Sequence, residues 1–139
     1  MRLHIPHLDT AAMDWATPIP GIYSKILSVD PDTGARTAMQ RLVPDEGYAA
    51  PTVPHYHHSA EEILVLKGRL SFDSKTYLGA NGYCFHPPET VHGFKSDVPK
   101  ETIFLSRHSK KMCTHDVPEP AKREYYPLNG TMPDRAWAA

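Results

Sequence analysis

The stretch Pro54-His55-Tyr56-His57-His58-Ser59-Ala60-Glu61-Glu62 holds two imidazoles separated by a single residue, followed after a short gap by a carboxylate. Alternate residues of an extended strand share a face, so His55 and His57 point the same way, and with unbroken parity so does Glu61. His58 and Glu62 fall on the opposite parity. Neutral nitrogen donors beside an anionic oxygen are what a borderline divalent metal ion needs. A further donor is offered by Pro87-Pro88-Glu89-Thr90-Val91-His92-Gly93, where a proline turn delivers His92 at the start of a new strand. His55, His57, Glu61 and His92 would leave a six-coordinate ion with open positions for water, substrate or dioxygen.

Elements must carry these residues to one point, and the sequence reads as short strands. Ile22 to Val29 and Ala35 to Val43 are β-prone runs around the Asp30-Pro31-Asp32-Thr33-Gly34 turn, which predicts a hairpin. Ile63 to Phe72 predicts a second strand-turn unit with Gly68 at its bend, and Asp73-Ser74-Lys75 turns into Thr76-Tyr77-Leu78. The parity of Glu61 sends Ile63 and Val65 inward, which sets the donors at the mouth of an apolar barrel. Asn81-Gly82 is a strong turn signal. Tyr83-Cys84-Phe85-His86 runs as a strand into Pro87-Pro88, and Glu101 to Ser106 forms a last one. Strands with turn signals at regular intervals and no long helical period predict an all-β sandwich or barrel.

The totals agree. A chain of 139 residues is the size of one ordinary domain, and fourteen prolines leave little room for a helical fold. A formal charge of −1 gives no electrostatic reason for a nucleic-acid partner. No apolar run suits a bilayer span, and the first residues lack the apolar core of a secretion signal, so the expected location is the cytoplasm. Cys84 and Cys113 are too few and too far apart for a disulfide framework, and are read as idle thiols. Residues 1–20 and 110–139 are proline-rich and are read as extended arms of one domain spanning 1–139. Their aromatics Trp15, Tyr125, Tyr126 and Trp137 need a cover, either a neighbouring subunit or the same barrel.

The spacing of the donors resembles that of the cupin superfamily. Its first motif is matched by His55-x-His57, three residues, Glu61, six residues and Gly68, with Gly47 further upstream than is usual. Its second is matched at Pro87 and His92, with Asn81 where its first glycine stands and Glu89 where its second stands. The resemblance implies an RmlC-like jelly roll, a double-stranded β-helix, with one divalent metal ion on His55, His57, Glu61 and His92, and pairing into a homodimer. Within the superfamily, the segments around Gly34, Glu61 and His92 are similar to a subgroup holding the cupin domains of zinc-dependent anti-sigma factors and stand-alone dioxygenases that cleave hydroxyacetophenones and β-diketones. The anti-sigma members also carry a helical sigma-binding domain with zinc ligands of its own, for which these residues hold no counterpart, so that route of regulation is not expected.

Three neutral imidazoles and one carboxylate leave a divalent ion with about one net positive charge, which favours an anionic bidentate small molecule such as an enolate. With iron(II), oxidative carbon-carbon cleavage by a dioxygenase is the leading expectation. Zinc in the same place would serve a redox-inert polyketide cyclase or isomerase, manganese or nickel would also fit the donors, and a closed shell would make a metal or small-molecule sensor. The remaining residues have plainer readings. His58 and Glu62 are expected in solvent, and His86 is read as structural. His108, His115, His4 and His7 are read as surface residues. Phe72, Tyr83, Phe85, Phe94 and Phe104 are expected in core packing, some of them above the metal.

Overall fold

The computed structural model describes residues 1–50, 52–94 and 98–117. It is built from antiparallel strands: β1 (Ala16–Ile19), β2 (Ile22–Val29), β3 (Arg36–Leu42), β4 (His55–His57), β5 (Glu61–Lys67), β6 (Tyr83–His86), β7 (Thr102–His108) and β8 (Thr114–Asp116). The helical elements among the described residues are two single 3-10 turns, Thr10–Ala12 and Pro44–Glu46, so the fold is all-β. No helix here is long and apolar enough to cross a membrane. One sheet runs β1-β2-β3-β7-β5-β6, and β4 pairs with β8 in the other.

The predicted hairpin is β2 and β3, closed by hydrogen bonds from Gly34 N to Asp30 O and from Asp30 N to Ala35 O, both 2.7 Å. Asp32 N also donates to the Asp30 carboxylate, so the turn carries its own polar closure. Gly68 ends β5 at φ 78°. A Cβ there would stand 2.4 Å from Thr102 Oγ1 and 2.5 Å from Glu101 O, so only glycine lets the chain bend against β7. Beyond it, Leu70 and Leu78 form a reciprocal bridge, and the Asp73 carboxylate collects the amides of Lys75 and Thr76.

Strand parity builds the interior. On β5 the residues Glu61, Ile63 and Val65 are buried, and on β7 so are Thr102, Phe104, Ser106 and His108. Leu42, Tyr48, Leu70, Phe72, Cys84 and Val98 complete the apolar cluster around Ile63, Val65 and Phe104. Burial of this many aliphatic and aromatic side chains is the dominant favourable term in folding.

Two aromatics depart from the core packing expected of them. Tyr83 and Phe85 are 55% and 43% exposed, because Cys84 and His86 take the inward positions of β6 and alternation sends their neighbours out. Phe72 and Phe104 are in the core, with Phe94 packed against it.

The first arm folds back on the same barrel. Ala16 pairs with Ser24 through β1, and Lys25 donates to Thr10 O while its ammonium sits 4.3 Å from the Trp15 ring centre. The start of the second arm is also part of the barrel, since β8 is paired along all of β4. Tyr125, Tyr126 and Trp137 lie outside the described residues.

Candidate metal centre

β4 is held on both sides. His55 and Asp116 are paired across β4 and β8, and His55 and His92 exchange backbone hydrogen bonds of 2.8 Å in each direction. This bridge puts the His55 and His92 rings side by side, 4.7 Å between centres, with His57 at 5.0 and 5.1 Å from them. The loop before His92 takes the turn that a glycine would give it: Glu89 sits at φ 66°, and its amide donates to His57 O at 2.7 Å. Asn81, the other position where the motif has glycine, is also left-handed at φ 68°.

β5 brings the carboxylate. Glu61 Oε2 lies 2.9 Å from His92 Nε2 and 3.5 Å from His57 Nε2. The four residues expected to share one site all line one cavity, and their ligand atoms fall into two overlapping groups. One ligand atom each from His55, His57 and His92 lies within 4.8 Å of the others, and the same is true of His57, Glu61 and His108.

His108 is the residue that strand spacing within the motifs could not supply. It is 1% exposed rather than on the surface, because β7 pairs with β5 so that His108 stands directly opposite Glu61. Its Nε2 is 3.5 Å from Glu61 Oε1, and its Nδ1 is 3.0 Å from Ser59 Oγ. The inward alternation of Thr102, Phe104, Ser106 and His108 was the available signal. His86 is buried on the other neighbour of β5, also opposite Glu61. His58 and His4 and His7 are exposed, and His115 is half-buried against Tyr56 outside the cluster.

The wiring of the rings fits them to a cation. His55 Nδ1 lies 2.9 Å from Val53 O, His57 Nδ1 3.3 Å from Cys113 O and His92 Nδ1 2.8 Å from Thr90 O. A carbonyl can only accept, so in the neutral ring Nδ1 carries the proton and Nε2 the lone pair. At His57 and His92 that Nε2 faces a carboxylate oxygen, so nitrogen and oxygen are both available to a cation placed between them. Backbone support behind each ring is also the way metal-ligating histidines are oriented.

Electrostatics agree. Burial opposes ionisation of Glu61, but the imidazoles of His108, His57 and His92 gathered around its carboxyl outweigh it and hold the carboxyl well below its usual range. Burial lowers His55, keeping it a neutral donor to lower pH. His86 is pushed down to about 3, by burial first and then by His92.

The cluster opens on a cavity of about 430 Å3. Ile19, Ile22, Phe72, Phe94, Phe104 and Met112 give it apolar walls, with Gln40, Thr52, Thr114 and Asp116 as polar points. Among the described residues no lysine or arginine lines it. Such a space suits a small molecule with an apolar body.

A β-barrel with this His and Glu arrangement at one mouth is a cupin. More narrowly, residues 6–111 match the model of the ChrR cupin-like domain, and the chain belongs to that family. Solved structures with the same fold include an acetylacetone dioxygenase from Acinetobacter johnsonii, at 17% identity and a TM-score of 0.61 over 87% of this chain and 83% of that one. The polyketide cyclase RemF from Streptomyces resistomycificus is 18% identical with a TM-score of 0.60, over 84% of this chain and 92% of that one. The complex of Rhodobacter sphaeroides SigE with the anti-sigma ChrR matches at 22% identity and a TM-score of 0.57 over 73% of this chain. There the match spans only 52% of the other chain, about half its length. No curated protein sequence matches this one.

Proposed function

We propose that this chain is a metal-dependent dioxygenase that cleaves a carbon-carbon bond in a small β-diketone or hydroxyaryl ketone. His55, His57 and His92 would hold the ion through Nε2, and Glu61 through Oε2. The observation that carries the reading is the meeting of these ring nitrogens and the buried carboxylate at the floor of a cavity with largely apolar walls. Iron(II) bound there would supply a Lewis-acidic, redox-active centre for the substrate and dioxygen.

The protein's own share is placement and exclusion of water. The Glu61 carboxylate offsets part of the charge of a divalent ion, so the centre selects an anionic chelate without binding it irreversibly. Phe72, Phe94 and Phe104 form the wall on one side, with Phe94 bridging the other two at ring distances of 5.2 and 5.8 Å. They orient the apolar part of the substrate and keep bulk water from the reacting atoms.

The cavity beside the four side chains is also what favours an enzyme over a sensor with a closed shell. The test is elemental analysis of protein purified without added metal, followed by oxygen uptake with a panel of β-diketones and hydroxyaryl ketones. Iron in the protein and substrate-dependent oxygen consumption are expected. Zinc as the resident metal with turnover but no oxygen uptake would move the assignment to a cyclase or isomerase, and no turnover of any substrate would move it to a sensor.

A further inference from the structure

We propose that His108 is a positioning residue that, backed by Ser59, holds one oxygen of Glu61 so that the other alone is presented to the metal. This inference rests on the metal reading above and concerns how its single carboxylate is aimed.

The argument comes from the direction of the hydrogen bonds. His55 and His92 each have a carbonyl behind Nδ1, which in the neutral ring puts the lone pair on Nε2, and His57 Nδ1 has the Cys113 carbonyl at 3.3 Å beside the Thr114 hydroxyl at 3.4 Å. His108 is wired in the opposite sense. Its Nδ1 meets the Ser59 hydroxyl at 3.0 Å, a group able to donate. Its Nε2 meets Glu61 Oε1 at 3.5 Å, an oxygen that only accepts. The consistent assignment is Ser59 O–H to His108 Nδ1, and His108 Nε2–H to Glu61 Oε1. A ring protonated on Nε2 has no lone pair to give an ion on that side.

The two carboxylate oxygens are thereby divided. Oε1 is tied to His108 across the β5–β7 ladder, and Oε2 is left with His57 and His92. A monodentate carboxylate leaves one more position open to substrate than a bidentate one. The trio of Ser59, His108 and Glu61 has the composition of a nucleophilic triad, but Ser59 is 1% exposed and is not among the described residues lining the cavity above the cluster, so the relay acts inward on the carboxylate.

The test compares His108→Leu, His108→Gln and Ser59→Ala with the wild type. Affinity for Co2+ and Zn2+ is read by competition with a chromogenic chelator, the Co2+ absorption spectrum reports the ligand geometry, and circular dichroism reports the fold. Glutamine places an amide N–H near the position of Nε2–H, whereas leucine fills space and cannot donate. The expected results are a fall in affinity of about 10–100-fold with an altered Co2+ spectrum for His108→Leu, a smaller fall for Ser59→Ala, and recovery of most of the affinity and of the wild-type spectrum in His108→Gln. Should His108→Leu not fold, Ser59→Ala and His108→Gln decide the matter. Unchanged affinity in folded His108→Leu or in Ser59→Ala overturns the relay while leaving the metal centre in place. Loss of the bound ion in both His108 variants also overturns it, since His108 would then be a ligand. A wild type that binds neither ion overturns the metal reading itself.

Discussion

The His86 ring lies flat against the His92 ring, with planes 4° apart and centres separated by 4.1 Å. His92 is thus fixed from three directions, by this stack, by the Thr90 carbonyl behind Nδ1 and by the backbone bridge to His55. The stack requires an uncharged His86, and its surroundings supply that by burial.

That neutrality has a pH signature. The unfolded chain takes up a proton on His86 near the ordinary value of 6.5, and the folded chain only near 3. Between these values the unfolded state binds more protons, so His86 makes stability fall as pH drops, by at most about 1.4 kcal/mol per pH unit. Above this window its contribution is fully present. His86→Phe keeps a ring in the stack and removes the titration. Urea unfolding from pH 7 to 4.5, with chelator in both samples, should show a flatter decline for His86→Phe than for the wild type; equal slopes would count against the assignment.

Metal binding should be visible as stability. A ligand that binds only the folded state at about 100 times its Kd adds about 2.7 kcal/mol. Chelator should therefore lower the melting temperature and added divalent metal restore it. Glu61→Gln removes the negative charge from the cluster and should show little of this restoration. The metal effect should also weaken as the pH is lowered, because protons then compete with the ion for the ring nitrogens.

Glu89 offers a test of the turn before His92. Its φ of 66° is left-handed, which costs an ordinary side chain about 1–2 kcal/mol. Glu89→Gly should retain metal affinity and lose no stability, whereas Glu89→Val, with a branched Cβ, should be destabilised and should loosen His92. Thermal unfolding and metal titration of the two variants provide the check.

The two cysteines should behave differently. Cys113 is exposed, and Cys84 is buried, its thiol pushed up to about 12 by burial and by Glu61. Thiolate is the reactive form. Iodoacetamide at pH 8 should label Cys113 in the native protein and both cysteines after denaturation, as read by peptide mass spectrometry. Native labelling of Cys84 would mean that β6 is not packed as described.

Much of this site was legible before any coordinates, and for a local reason. His55, His57 and Glu61 lie within a few residues of each other, where strand parity alone assigns a face, and the turn signals around Asn81 and Pro87 bring in His92. What stayed hidden depends on pairing between distant segments. His108 joins Glu61 only because β7 runs beside β5 in one register, and a shift by one residue would have turned it to solvent. Tyr83 and Phe85 were misplaced for the same reason: both faces of β6 carry bulky residues, so its composition does not say which face is inward. The start of the second arm, Thr114–Asp116, is short and polar, and only its partner β4 makes it a strand.

The central claim is that His55, His57, Glu61 and His92 surround a single ion. Crystals grown with Co2+ or Fe2+, measured at the metal's absorption edge, test it directly through the anomalous difference map. The expected result is a single strong peak within bonding distance of Nε2 of the three histidines and Oε2 of Glu61. No peak there, or a peak bonded to some other group of side chains, would contradict it.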